Sequence, residues 1–207
     1  MKKFISLFIL IALQATAQYN NLGTSGAQFL QIPLGARQAA MAGAAIAYTD
    51  DASSVFWNPA GLSHVNHVDF HFSNLNWFDL FDLNAASAVY NLGPDLGVIG
   101  AHFISFSTGK IEITTEKEPN GTGRFYDAQD IALGISYSRA LTEQFRAGIT
   151  IKYVSQRIWN ETAGGIAFDI GTQYRLDYNN LVIAMSMTNF GPDMRFEGPD
   201  LNVQYLK

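Results

Sequence analysis

The 207-residue sequence contains no cysteine, which excludes disulfides, thiolate chemistry and zinc sites built on sulfur ligands. Charge is scarce as well: Asp, Glu, Lys and Arg make up 15% of the chain, against about 25% in ordinary soluble domains. That is too little to cover a water-facing exterior. With 13 basic against 18 acidic residues and a net charge of -5, no basic face is on offer and a nucleic-acid partner is not expected. Long apolar runs are also missing. The run from Phe4 to Leu13 falls well short of the roughly 20 residues that span a bilayer as a helix. Its flanks explain it: Lys2 and Lys3 precede it and Ala15-Thr16-Ala17 follow, so residues 1–17 read as a cleavable signal peptide with Gln18 as the new N-terminus. No Cys stands after that site to accept a lipid.

What is present is aromatic and alternating. Phe, Trp and Tyr reach 13% of the chain. From Tyr19 to about Ser63 the sequence is irregular, with one expected helix from Gly35 to Tyr48. From Val65 onward a period of two takes over, and strands are expected near 67–75, 84–92, 96–107, 110–117, 127–140, 144–158, 163–176 and 180–189, with Gly, Pro, Asn and Asp in the connections. An exported chain without disulfides needs another source of stability, and backbone pairing in a closed sheet is one.

The chemistry of the two strand faces is more informative than the alternation. Ile131, Leu133, Ile135 and Tyr137 share one face, and Ala132, Gly134 and Ser136 the other. Ile149, Ile151 and Tyr153 oppose Gly148, Thr150 and Lys152. Ile166, Phe168, Ile170 and Tyr174 oppose Asp169, Gly171 and Gln173, and Val68, Phe70 and Phe72 oppose His67, Asp69, His71 and Ser73. A solvated face carries Lys and Glu that keep sheets from sticking. This one is small and sparsely charged, as a crowded barrel lumen is, while Tyr137, Tyr153 and Tyr174 read as residues of an aromatic girdle near strand ends. The expected fold is all-β: an antiparallel transmembrane β-barrel, with outer-membrane lipid around it. Eight strands close a barrel whose interior side chains already fill it. No room is left for the residues before Ser63, so a larger barrel, with a chain truncated beyond Lys207, is the expectation.

Several segments resemble the PorV/PorQ family. They are Gly23-Thr-Ser-Gly-Ala-Gln-Phe-Leu30, Leu34-Gly-Ala-Arg37, Met41-Ala-Gly43 and the stretch from Thr49-Asp-Asp to Phe56-Trp-Asn-Pro-Ala-Gly-Leu62. Asn74-Leu-Asn-Trp-Phe78, Ser155-Gln-Arg-Ile-Trp-Asn-Glu161 and Met187-Thr-Asn-Phe-Gly191 fit as well. The family is similar to the long-chain fatty-acid transporter barrels. The resemblance implies a barrel of about fourteen strands with a helical and irregular N-terminal hatch, and some members serve type IX secretion. The expected organisation is a signal peptide at 1–17, a hatch at 18–63 and the barrel at 64–207.

Candidate sites follow from these expectations. In the hatch motif, Asp50 and Asp51 satisfy exposed backbone donors, Asn58 before Pro59 makes a turn, and Gly61 permits a tight backbone. Phe29, Leu30, Phe56 and Trp57 are candidate contacts for a hydrophobic ligand. Arg37, Asp69, Lys110, Glu112, Lys152 and Asp169 are candidate lumen charges, with Arg37 a candidate partner for one of the acids. No metal site is expected from His64, His67, His71 and His102: on a strand, His67 and His71 lie about 13 Å apart. No Gly-x-Ser-x-Gly elbow or phosphate loop occurs, so neither catalysis nor a cofactor is expected. Asn120-Gly-Thr122 and Asn160-Glu-Thr162 match the glycosylation acceptor pattern by chance in a bacterial envelope protein. Three functions remain open: a non-enzymatic component of protein export that binds secretion-system proteins or exported cargo, a channel for a hydrophobic small molecule, and a secreted β-sandwich adhesion module.

Overall fold

The structure, a computed structural model, describes residues 26–201; the expected signal peptide lies outside them. Seven strands form one antiparallel sheet, joined in sequence order as a meander: β1 (Val68–Trp77), β2 (Phe81–Asn91), β3 (Val98–Thr108), β6 (Ala128–Ala140), β7 (Phe145–Ile158), β8 (Glu161–Arg175) and β9 (Val182–Phe190). The remaining two, β4 (Ile111–Glu112) and β5 (Phe125–Tyr126), pair only with each other. The expected strand at 110–117 is therefore corrected. The stretch runs through Glu116, Lys117, Glu118 and Pro119, which cannot supply an apolar face, and it folds back on itself in the connection between β3 and β6.

The sheet is curled around the N-terminal segment. Laid flat, seven strands at about 4.8 Å spacing would hold β1 and β9 nearly 30 Å apart. Instead, Asp69 on β1 accepts a hydrogen bond from the Ala52 amide at 2.8 Å, and Ser186 on β9 donates to the Trp57 carbonyl at 2.8 Å. Those two backbone groups are five residues apart. Both sheet edges thus reach one short segment, yet β1 and β9 do not pair. Among the described residues no second sheet faces the first, as a β-sandwich would require, and no helix is long and apolar enough to cross a membrane.

The faces of this curled sheet are inverted relative to a soluble domain. On the convex face Phe70 is 74% exposed, Ile135 71% and Met185 70%, whereas on the concave face Ala132, Ser138 and Thr150 are fully buried. The convex apolar residues lie side by side across strands: Phe103 opposite Leu133, Leu133 opposite Tyr153, Tyr153 opposite Ile166. Tyr137 and Tyr174 stand near strand ends and donate to the Leu96 carbonyl and the Gln144 side chain, each at 3.0 Å. Tyr153 stands mid-strand, a correction to its expected place in a girdle, because β7 continues through Arg157 to Ile158.

The N-terminal segment is mostly turns. Of the helix expected from 35 to 48, only α1 (Ala36–Ala40) forms. Ala42 takes a left-handed φ of 52°, and the amides of Ala42 and Gly43 donate to the carbonyls of Ala39 and Gln38. That pairing terminates a helix by satisfying its last carbonyls. A second short helix, α2 (Ser54–Trp57), leads into a 3-10 turn over Pro59–His64.

Candidate functional site

The buried interface between the N-terminal segment and the concave face carries most of the polar chemistry. At its centre is Asn58, fully buried. Its amide nitrogen donates to the carbonyls of Ile46 at 3.0 Å and Thr172 at 3.2 Å, while its oxygen accepts from the Ala60 amide at 3.1 Å. One side chain thereby ties two turns of the segment to each other and to β8. Pro59 follows at the first position of the 3-10 turn, where its missing N–H costs nothing.

The sheet is shaped to receive this pair. Gly148 on β7 lies directly opposite Gly171 on β8. A Cβ on Gly148 would overlap the Pro59 backbone, and one on Gly171 would overlap the Asn58 side-chain oxygen. Two cross-strand glycines thus open a seat where backbone can approach backbone, which is the usual meaning of glycine inside a strand.

Around the seat, strand after strand bonds to the segment. Besides Asp69 and Ser186, Ser87 on β2 donates to the Ala52 carbonyl at 2.7 Å, Ser138 on β6 donates to Ala60 at 3.1 Å, and Gln156 on β7 accepts from the Ala27 amide at 2.7 Å. On β3, His102 packs edge-on against Phe56 with ring centroids 5.3 Å apart, and His71 on β1 does the same at 6.0 Å. Two apolar clusters fill the rest. One joins Phe29 and Leu34 to Leu83, Ile104 and Val154; the other joins Val55, Leu62 and Val65 to Val89 and Val98; Phe56 packs against both.

The hatch motif residues sit inside this interface, except Asp50. Asp51 accepts from the amide and hydroxyl of Ser53, and a Cβ on Gly61 would overlap the Thr49 carbonyl. Asp50 is half-exposed and lies 3.8 Å from Arg37, whose guanidinium stacks 4.3 Å over the Tyr48 ring. Arg37 thus pairs within its own segment and not with an acid of the sheet.

The expected lumen charges divide. Lys152 and Asp169 form an ion pair at 2.8 Å, both nearly fully buried. Asn189 completes it: its side-chain oxygen accepts from Lys152 at 2.5 Å and its backbone N–H donates to Asp169 at 2.6 Å. Asn189 holds a left-handed φ of 61°, next to the register shift between β8 and β9. Asp69 faces the segment as described. Lys110 and Glu112 do not point inward. They lie exposed in the β3–β6 connection, where Glu112 accepts from the Gly123 amide at 3.1 Å, and they follow from the missing strand.

Leu30, Phe56 and Trp57 line a cavity of about 250 Å³ together with His102, Lys152 and Asn189. Phe29 does not; it is buried and stacks on Phe106 at 6.4 Å. The histidines are dispersed: His64 bonds Gln173 at 3.0 Å, and His67 is exposed outside β1. Burial holds the His64 imidazole below its ordinary pKa, with the Gln173 bond opposing that shift. Among the described residues no group of three His, Cys, Asp or Glu is placed to hold a metal.

Sequence reasoning had no candidate role for Ser87, Ser138, Gln156, Ser186 or Asn189. Small polar residues at alternate positions signal a face; their partners, up to 129 residues away in sequence, leave no local trace. The model for the type IX secretion system protein PorV matches residues 14–198. No curated protein and no solved structure matches the chain. Since the matched span takes in the N-terminal segment and all nine strands of the described residues, the chain belongs to the PorV family of type IX secretion system proteins.

Proposed function

We propose that the chain forms an outer-membrane β-barrel, with the N-terminal segment as its hatch, and serves protein export by type IX secretion without catalysing a reaction. The observation that carries this reading is the inverted sheet: large apolar side chains outward, small and polar ones inward against a packed segment. Water disfavours such an exterior and lipid favours it. The outer edges of β1 and β9 have no strand partner among the described residues. In a bilayer those backbone groups need partners, which further strands supply, about fourteen in all for this barrel type.

The export role rests on the family and on how the interior is occupied. The segment is fixed by hydrogen bonds or ring contacts from every strand of the sheet, which suits a scaffold better than an open channel. Partner proteins would meet the loops. The longest, between β3 and β6, is held at its base by the Asp127–Arg157 ion pair at 2.7 Å and by Tyr126 stacked on Trp159 at 6.2 Å.

A second reading, binding of a hydrophobic small molecule, draws on the cavity beside Leu30, Phe56 and Trp57. Its volume of about 250 Å³ is below the roughly 300–1,000 Å³ of drug-sized ligand sites, and Lys152 and Asn189 make one side of it polar. Expression with envelope fractionation tests both. A detergent-requiring, heat-modifiable outer-membrane protein whose deletion retains type IX cargo in the periplasm supports the first reading. A product soluble without detergent contradicts the barrel, and cargo export undiminished by the deletion contradicts the export role.

A further inference from the structure

We infer that the sheet and the N-terminal segment build an oxyanion-binding site at the end where β7 begins and β8 finishes. Arg146 lies opposite Gln173 on the concave face, and Arg175 is two residues further along β8 on the same side. Both line a cavity of about 150 Å³, with Tyr48, Asp50, His64 and Gln173 among the other lining residues. Guanidinium groups stay charged at any relevant pH, so two positive charges are brought together here and repel.

Among the described residues neither arginine has a carboxylate oxygen within 4.0 Å. The acid lining the cavity, Asp50, is engaged by Arg37. The Gln173 side-chain oxygen is taken by His64, and Arg175 reaches only the Glu143 carbonyl, at 3.4 Å. The Nε of Arg146 is buried with no hydrogen-bond partner. Buried donors in native proteins are nearly always satisfied, and the same sheet does satisfy its other inward cation, placing Asp169 and Asn189 on Lys152.

An oxyanion in the cavity resolves both problems, since the planar donor fork of arginine matches the paired oxygens of a carboxylate or phosphate. The cavity is well below the size of a site that encloses a whole organic ligand, so the ligand enters by its charged group alone. A carboxylate or phosphate is presented either by a soluble molecule or by a lipid headgroup. The concave position, turned away from the apolar face, favours the soluble source. The inference does not depend on the export role.

The test uses the full chain, purified in detergent and checked for heat-modifiable migration. Its thermal midpoint is followed while inorganic phosphate replaces chloride at constant ionic strength, and again with acetate. A saturable rise is expected, weakened about tenfold or more in Arg146→Gln and in Arg175→Gln. Arg139→Gln, on the exposed opposite face of β6, should leave it unchanged. Should either Gln variant fail to fold, Arg146→Lys and Arg175→Lys, which keep the charge without the fork, are expected to fold and bind less tightly than wild type. Repetition in phosphatidylcholine and phosphatidylglycerol nanodiscs separates the sources. Protection by free phosphate in phosphatidylcholine discs assigns a soluble ligand; protection that needs phosphatidylglycerol and is lost in the arginine variants assigns a headgroup. No saturable rise with either anion or lipid, or a rise that survives substitution of both arginines, overturns the inference.

Discussion

The concave and convex faces of the sheet are built from the same strands, one residue out of phase, and are governed by different solvents. On the concave face a side chain matters through a named partner: Ser138 has the Ala60 carbonyl, Asp169 has Lys152 and Asn189, and Gly171 has the absence of a Cβ. On the convex face Ile135, Ile151 and Phe168 stand opposite one another across strands and remain exposed. Conservative truncation should therefore cost much on one face and little on the other, and a charge should be tolerated on neither.

The largest expected effect is on the buried ion pair. Asp169→Ala leaves Lys152 buried without its carboxylate, and removing one partner of such a pair costs about 3–5 kcal/mol. Unfolding in detergent should show it as a large drop in midpoint, while Ile135→Ala changes the midpoint little. A charge on the convex face comes next: Ile135→Arg should destabilise the lipid-inserted protein by about 2–4 kcal/mol if the residue lies near the bilayer midplane. In a form whose convex face met water the same substitution would be neutral, so urea unfolding of Ile135→Arg beside wild type in liposomes sharpens the comparison. Asn58→Ala leaves the Ala60 amide without its side-chain acceptor and removes one donor from each of the carbonyls of Ile46 and Thr172. At about 1–3 kcal/mol for each buried group left unsatisfied, it should release the segment from the sheet, measured as faster proteolysis between residues 26 and 64 with the strands still protected.

The smallest expected effect is on pH. Partial desolvation makes the His64 pKa lower folded than unfolded. The unfolded chain then binds the extra proton, and stability, complete above about pH 6.5, declines as pH falls below that value. A midpoint that drops between neutral pH and mild acid, and flattens in His64→Gln, is the predicted result. Asp127 acts in a lower window. The Arg157 hydrogen bond holds its carboxyl below the usual range, so its contribution persists until stronger acid protonates it, and Arg157→Gln should change loop protection only there.

How far the sequence could be read follows from the range of each interaction. The period of two places all seven strands of the sheet to within a few residues, because alternation is written locally, and the strands differ from expectation only at their ends. It also separated the two faces, since Leu133 and Gly134 differ in size wherever the sheet goes. The Asn58-Pro59 turn was legible for the same reason. Its receptor was not: Gly148 and Gly171 look like ordinary interruptions until register places them side by side. A lone glycine inside a strand does hint at close approach, and that signal was available. Lys110 and Glu112 look like inward strand residues because the alternation at the start of 110–117 resembles a sheet strand before tertiary pairing decides; Ile111–Glu112 pairs instead with Phe125–Tyr126. For Arg37 the sequence offers several acids as partners and no means of choosing among them; the structure sets it beside Asp50 and over the Tyr48 ring. Asn189 owes its role to a register shift between β8 and β9 that no local pattern announces.

The most direct test of the account is which medium each face meets. Because the chain has no cysteine, single Cys substitutions can carry a spin label at Ile135 and Ile151 on the convex face and at Ser136 and Thr150 on the concave face, in protein reconstituted into liposomes. The account predicts that labels at Ile135→Cys and Ile151→Cys collide with oxygen, which concentrates in lipid, far more than with a water-soluble nickel reagent, and that Ser136→Cys and Thr150→Cys show no such preference. Convex labels that meet the aqueous reagent as readily as oxygen would contradict it.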